Sequence, residues 1–211
     1  GYPPASTFKM VVMLAALEGG FIDPKDKVIC SQKVNLGNRT FHCWKRGGHG
    51  PVNMREALKG SCDVYFYELS QKVGIEKIAS MGRRLGFGEK FNIGLKGLKS
   101  GIMPDPKWKK LKLGNSWKVG DTINASIGQG FVLSTPLQMA VMVARIANGK
   151  DSLTPNLIIE PNLKKFQSLG INPSHIAFVQ KCMLAVCEEP GGTAYKKYGL
   201  ELGQLQIAGK T

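Results

Sequence analysis

Tyr2-Pro3-Pro4-Ala5-Ser6-Thr7-Phe8-Lys9, running on into Met10-Val11-Val12-Met13-Leu14-Ala15-Ala16-Leu17, is the stretch from which the rest of the chain can be read. Its apolar run leaves no polar face, so the helix expected over 6–18 is buried almost all round, and Gly19-Gly20 ends it. A serine at the mouth of a buried helix lies at the positive end of the helix dipole, and spacing of three puts Lys9 on the same face one turn later. A lysine taken out of water loses part of its preference for the charged form, so Lys9 can accept a proton from the Ser6 hydroxyl. The bland use of the same letters is Ser6 as a helix cap and Lys9 as a surface side chain. No second Ser-x-x-Lys occurs in the chain.

Two further short words follow in order, Ser61-Cys62-Asp63 and Lys210-Thr211. The first falls where one helix ends at Gly60 and another begins, a junction that can point short polar side chains into a cleft. Asp63 has the competing use of capping the helix over 63–73. The second offers a cation and a hydroxyl, which suit a carboxylate because a charge-assisted hydrogen bond is about twice as strong as a neutral one. Each word alone is weak; their order and context carry the argument. Thr193-Ala-Tyr-Lys196 repeats the spacing of a Thr-x-x-Lys but lacks a following buried helix and reads as loop and helix start.

Helices are expected at about 6–18, 53–59, 63–73, 75–85, 136–148, 174–187 and 193–198. Asn53 and Thr135 stand as N-caps, Pro136 at a first helical position, and Gly74, Gly86 and Gly149 just past helix ends. Segment 28–46 reads as a short hairpin or extended excursion, and 88–120, rich in Gly, Pro and Lys with little periodicity, as a long loop. Gln204 to Ala208 alternates and runs as a strand into Gly209-Lys210-Thr211. With 211 residues, 43% hydrophobic and 21% charged, the chain suits one globular core. Its longest apolar run, Met10 to Leu17, is too short to span a bilayer.

The three words resemble the Ser-x-x-Lys, Ser-x-Asn/Asp and Lys-Thr-Gly set of penicillin-binding proteins. Gly48-His49-Gly50, Ser61-Cys-Asp-Val-Tyr-Phe-Tyr67, Gly128-Gln-Gly130 with Thr135-Pro-Leu-Gln138, and Pro190-Gly-Gly-Thr-Ala194 narrow the resemblance to class B members, most of all the elongation-type penicillin-binding protein 2 group. The resemblance runs over nearly the whole chain. It implies an α+β transpeptidase fold of the serine β-lactamase type, of which 1–211 is the helical part with the central sheet truncated. The third residue of Lys-Thr-Gly, the membrane anchor and the pedestal domain are expected outside these residues.

By the same resemblance Ser6 is the nucleophile of a D,D-transpeptidase that cross-links peptidoglycan stem peptides and is acylated by β-lactams. Lys9 is then its base, Ser61 relays a proton to the leaving amine, and Asp63, Lys210 and Thr211 bind substrate. Asp63 stands where the family more often has Asn. The chemistry needs no cofactor. A glycosyltransferase and other elongation-complex proteins are the implied partners, and the inner membrane, with the domain in the periplasm, is the implied location. A β-lactamase is disfavoured by the lack of a Glu-x-x-x-Asn word. A β-lactam sensor uses the same three words and differs in its flanks, since it follows a multi-span membrane protein rather than one anchor and a pedestal.

Five cysteines, an odd number, fit a pure disulfide framework poorly. Cys30, Cys43, His49 and Cys62, at intervals of 13, 6 and 13, are a donor set for tetrahedral structural zinc, although the spacing is no known finger or ribbon. The resemblance strengthens this reading: some elongation-type members hold zinc at matching positions, with Asp in place of Cys30 and Cys43. The rival is a Cys30–Cys43 disulfide with Cys62 free, and His42 is a lesser ligand candidate. Cys182 and Cys187, five apart on one helix, read as core thiols.

A net charge of +14 and a pI near 9.7 raise the possibility of nucleic acid, all the more because Lys107, Lys109, Lys110, Lys112 and Lys118 cluster with Trp108 and Trp117. A solvated basic loop facing anionic lipid and wall polymers accounts for the same residues. No nucleic-acid partner is therefore expected.

Overall fold

The computed structural model describes residues 1–158, 165–197 and 206–211. Helix α1 (Lys9–Glu18) is the axis of the fold, and Lys9 through Leu17 are all buried. It packs against α2 (Met54–Lys59), α3 (Asp63–Val73), α4 (Ile75–Arg84) and α8 (Pro173–Glu188). The sequence anticipated this helix from residue 6. Instead, Ala5–Phe8 form a tighter 3-10 turn and the α-helix starts at Lys9. Ser6 thus stands in a separate turn ahead of the helix.

The excursion after α1 is two nested antiparallel pairs. Strand β1 (Val28–Cys30) pairs with β4 (Gly50–Val52), with Cys30 opposite Gly50. Between them lies the hairpin of β2 (Lys33–Leu36) and β3 (Arg39–His42), in register Lys33 to His42. Tyr67 on α3 fixes the hairpin by donating to the His42 carbonyl at 3.1 Å and packing edge-on against Phe41. The long loop expected over 88–120 is corrected: it contains α5 (Pro106–Leu113) and leads directly into α6 (Val119–Ser126). Asp105 caps α5 by accepting from the Trp108 N–H at 2.7 Å, Pro106 opens it, and Gly114 closes it in the left-handed conformation. The helix is anchored by one buried cation, Lys109. Its ammonium donates to Asp121 at 2.6 Å and lies over the rings of Trp117 and Phe131.

Helix α7 (Pro136–Asn148) starts at a full capping box between Thr135 and Gln138. The helix expected over 193–198 is a turn over 193–196 that docks on α8, where the Ala194 N–H donates to the Val186 carbonyl at 3.1 Å; residue 198 is outside the described residues. Of the strand expected over 204–208, positions 204 and 205 also fall outside them. Residues 206–211 pair with no strand among the described residues, and Gly209 N–H donates to Met183 O at 3.2 Å. The architecture is α+β, helix-rich, with two small two-stranded sheets. Among the described residues no helix is long and apolar enough to cross a membrane.

Candidate active site

The turn that carries Ser6 is held from behind. Ala5 adopts φ +51°, unusual for a residue with a Cβ, and its N–H donates to the Gly128 carbonyl at 3.1 Å. Gly128 is itself left-handed at φ +67°. A Cβ placed on it would stand 2.3 Å from Ala5 O and 2.7 Å from Ala5 N, so only glycine lets the two backbones approach. Phe8 plugs the core against Phe87, with ring centres 5.1 Å apart. Ser6, half-buried, opens into a cavity of about 450 Å³ that is also lined by Trp44, Ser61, Asp63, Thr193, Lys197 and Thr211.

Lys9 lies under that cavity with no exposed surface. Its ammonium makes three hydrogen bonds: to Asp63 Oδ1 at 2.6 Å, to the Ser61 carbonyl at 3.0 Å and to Ser61 Oγ at 3.1 Å. Three is all that an ammonium can donate. Burial pushes Lys9 below its ordinary value, and the adjoining Asp63 carboxylate pushes back. Asp63 does not cap α3. The N-cap is Cys62, and the Asp63 side chain is spent on Lys9 and, through Oδ2, on the Trp44 backbone N–H at 3.0 Å. Ser61 has φ +54°, again left-handed, and is 5% exposed. That conformation turns its hydroxyl and carbonyl toward Lys9 together.

The far wall is made by the Pro190–Ala194 turn and the 206–211 segment. Thr211 Oγ1 donates to Thr193 Oγ1 at 2.6 Å, and the Thr193 N–H donates to Lys59 O at 3.2 Å, which draws the Pro190–Ala194 turn into the cavity. Burial pushes the Lys210 ammonium down to about 7, helped by the neighbouring positive charge of Lys9. The sequence reading had Thr193 in the Pro190–Ala194 word of the family resemblance and in a discounted Thr-x-x-Lys spacing but gave it no place in the site, and Trp44 and Lys197 drew no attention at all. The available signals were an aromatic residue directly after a candidate ligand, and a threonine in a Pro-Gly-Gly turn near the Lys-Thr pair.

Behind the Ser61-Asp63 junction, Cys30, Cys43, His49 and Cys62 converge, each donor atom within 4.8 Å of the others. His49 Nδ1 stands 3.4 Å from Cys43 Sγ and 3.7 Å from Cys30 Sγ. Its other nitrogen, Nε2, lies 3.0 Å from the Gly60 carbonyl, which can only accept, so Nε2 carries the proton and Nδ1 offers its lone pair to the cluster. The neighbouring Cys62 thiol and the backbone N–H groups of Lys45, Asp63 and Val64 hold Cys43 below its ordinary value, while the proximity of Cys43 and burial push Cys62 up. No disulfide joins Cys30 to Cys43 in this structure. His42 is exposed on β3 and stands outside the group. Cys182 is a core thiol, its pKa pushed up to about 12 by burial, and Cys187 is half-buried.

A profile described as the penicillin binding protein transpeptidase domain matches residues 1–211. The peptidoglycan D,D-transpeptidase MrdA of Acinetobacter baumannii is 36% identical, an alignment that covers 100% of this chain and 32% of that protein. A solved structure of the complex between PBP2 and MreC from Helicobacter pylori matches with a TM-score of 0.85 at 36% identity, over 92% of this chain and 37% of that one. Pseudomonas aeruginosa PBP2 in complex with WCK 5153 matches with a TM-score of 0.83 at 33% identity, over 92% of this chain and 46% of that one. The chain spans about a third of the length of the curated relatives it matches. With the profile matching residues 1–211 and the A. baumannii relative aligned over the whole chain, the chain belongs to the penicillin binding protein transpeptidase domain family.

Proposed function

We propose that these residues are the helical part of a peptidoglycan D,D-transpeptidase that cross-links stem peptides during cell elongation, the remaining sheet strands coming from elsewhere in a longer protein. The observation that carries the reading is a lysine without exposed surface, bonded to Ser61 Oγ and Asp63, beneath the cavity into which Ser6 opens. In the proposed reaction Lys9, once neutral, takes the Ser6 proton as Oγ adds to the carbonyl of the penultimate D-Ala. The tetrahedral intermediate collapses to an ester, and the terminal D-Ala leaves with a proton relayed through Ser61. An acceptor amine then attacks the ester, forms the cross-linking amide and returns a proton to Ser6 Oγ. The Ser6 N–H contributes to the oxyanion hole; family resemblance puts the second donor just after Lys210-Thr211. Lys210 and Thr211 bind the substrate carboxylate, and Asp63 contacts the peptide while holding Lys9. β-Lactams acylate the same serine.

The Cys30, Cys43, His49 and Cys62 set fits a structural zinc. Tetrahedral bonds of about 2.3 Å to sulfur and about 2.0 Å to nitrogen imply S···N separations of about 3.5 Å, and the His49 Nδ1 separations of 3.4 Å and 3.7 Å straddle that value. Zinc would supply folding free energy and no reacting group. It would tie β1, the loop between β3 and β4, and the loop before α3 together behind the active site. One zinc per chain is expected by elemental analysis of reduced protein, and Cys43→Ala is expected to lower the melting temperature and slow acylation together. A metal-free protein with a Cys30–Cys43 disulfide in mass spectrometry would replace zinc with the disulfide.

A periplasmic position anchored to the inner membrane, and partnership with a glycosyltransferase and an elongation-complex scaffold, follow from the family and are part of the same reading. The H. pylori relative solved with MreC supports it. The full-length protein, given a pentapeptide donor and an acceptor amine, is expected to release D-Ala and form the cross-linked product. A stable penicillin adduct with no turnover of the peptide would assign the sensor function instead.

A further inference from the structure

Trp44 is 60% exposed, and a lone exposed aromatic ring ordinarily calls for no explanation. Both of its N–H groups, however, are committed to the loop that carries Ser61 and Asp63. The indole Nε1–H is shared between the Ser61 carbonyl at 3.0 Å and the Gly60 carbonyl at 3.2 Å, and the backbone N–H donates to Asp63 Oδ2 at 3.0 Å. The ring packs edge-on against His49, centres 5.7 Å apart, whose Nε2–H donates to the same Gly60 carbonyl. The two successive carbonyls are therefore gripped from both sides, by Trp44 and His49 on one and by Lys9 on the other.

Ser61 needs such a grip. It sits at φ +54° with a Cβ, a conformation that persists only where the surroundings impose it, and relaxing it would swing both its carbonyl and its hydroxyl off Lys9. We propose that Trp44 is a positioning residue for the acyl transfer: its indole N–H locks the Gly60–Ser61 turn so that Ser61 Oγ stays on Lys9, and its backbone N–H keeps Asp63 aimed at the same ammonium. The inference rests on the proposed roles of Ser6, Lys9 and Ser61. It adds a mechanical link, since Trp44 directly follows Cys43 and passes the order of the cysteine-histidine cluster to the proton-transfer groups.

The test replaces Trp44 in the full-length protein by β-(3-benzothienyl)alanine, which keeps the ring system and lacks the N–H, and in parallel by Phe. Acylation by a fluorescent penicillin is followed as the first-order acylation constant and the concentration at half-saturation, with melting temperature and metal content measured on the same samples. A misplaced proton relay lowers the first-order constant by about 10- to 100-fold while half-saturation stays within about twofold. An unchanged first-order constant in the benzothienyl variant overturns the proposal, as does a change confined to half-saturation, which would make Trp44 a ligand-contact residue only. Ser6→Ala run alongside separates the two levels: labelling that persists there overturns the catalytic reading itself, whereas its loss with an unaffected benzothienyl variant overturns only the role of Trp44.

Discussion

At Lys9 two effects of opposite sign meet on one nitrogen. Burial disfavours the ammonium, and Asp63 at 2.6 Å favours it, with burial the larger, so the group titrates below its ordinary value. A base must be neutral to act, and the neutral fraction grows as pH rises through the pKa, so acylation is expected to rise with pH along a limb set by Lys9. Asp63→Asn removes the raising influence and moves that limb to lower pH, whatever it does to the plateau; a pH–rate profile of penicillin acylation in both proteins checks it. A limb that moves to higher pH, or not at all, would mean that another group titrates in the step. The order of the short words and their family resemblance pointed to Ser6, Lys9, Ser61 and Asp63; the structure places Ser6, Ser61 and Asp63 round one cavity, with Lys9 buried against Ser61 and Asp63. Trp44 was illegible because its importance lies in two bonds to residues 16 and 17 positions away, and no local pattern encodes those.

Among elements, the turn before α1 depends on a second element for its shape. The left-handed Ala5 is stabilised by the Gly128 carbonyl, and Gly128 has no room for a Cβ. Gly128→Ala is expected to cost more than about 1 kcal/mol, because it adds the left-handed penalty to a backbone clash. Acylation should also slow at least about tenfold as Ser6 is displaced. Chemical denaturation and labelling kinetics would show both, and a stability loss with unchanged acylation would detach Gly128 from the site. Helix ends announced by short-range chemistry were readable, as the capping boxes at Asn53 and Thr135 show. Helix α5 carried the same punctuation, Asp105-Pro106 and Gly114, yet its lysine-rich interior has no apolar stripe. It is secured by Lys109 reaching Asp121 and two aromatic rings, a tertiary arrangement that periodicity cannot reveal. The β1–β4 pair was hidden for a related reason, since two three-residue strands separated by 19 residues leave little pattern.

On the scale of the whole molecule, the Ser6 turn and the Ser61–Asp63 junction form the floor of a cleft, the Thr193 turn and the Thr211 segment form one wall, and the cysteine-histidine cluster backs the junction. The +14 charge is consistent with work among anionic lipids and wall polymers and needs no nucleic acid. The central claim is that this cleft transfers an acyl group through Ser6. The most direct measurement is the site of covalent attachment: full-length protein treated with a penicillin, digested and mapped by tandem mass spectrometry. The account predicts one adduct, with the mass of the opened β-lactam, on the peptide containing Ser6, and none in Ser6→Ala. An adduct on Ser61 or another residue, or labelling that survives in folded Ser6→Ala protein, would contradict it.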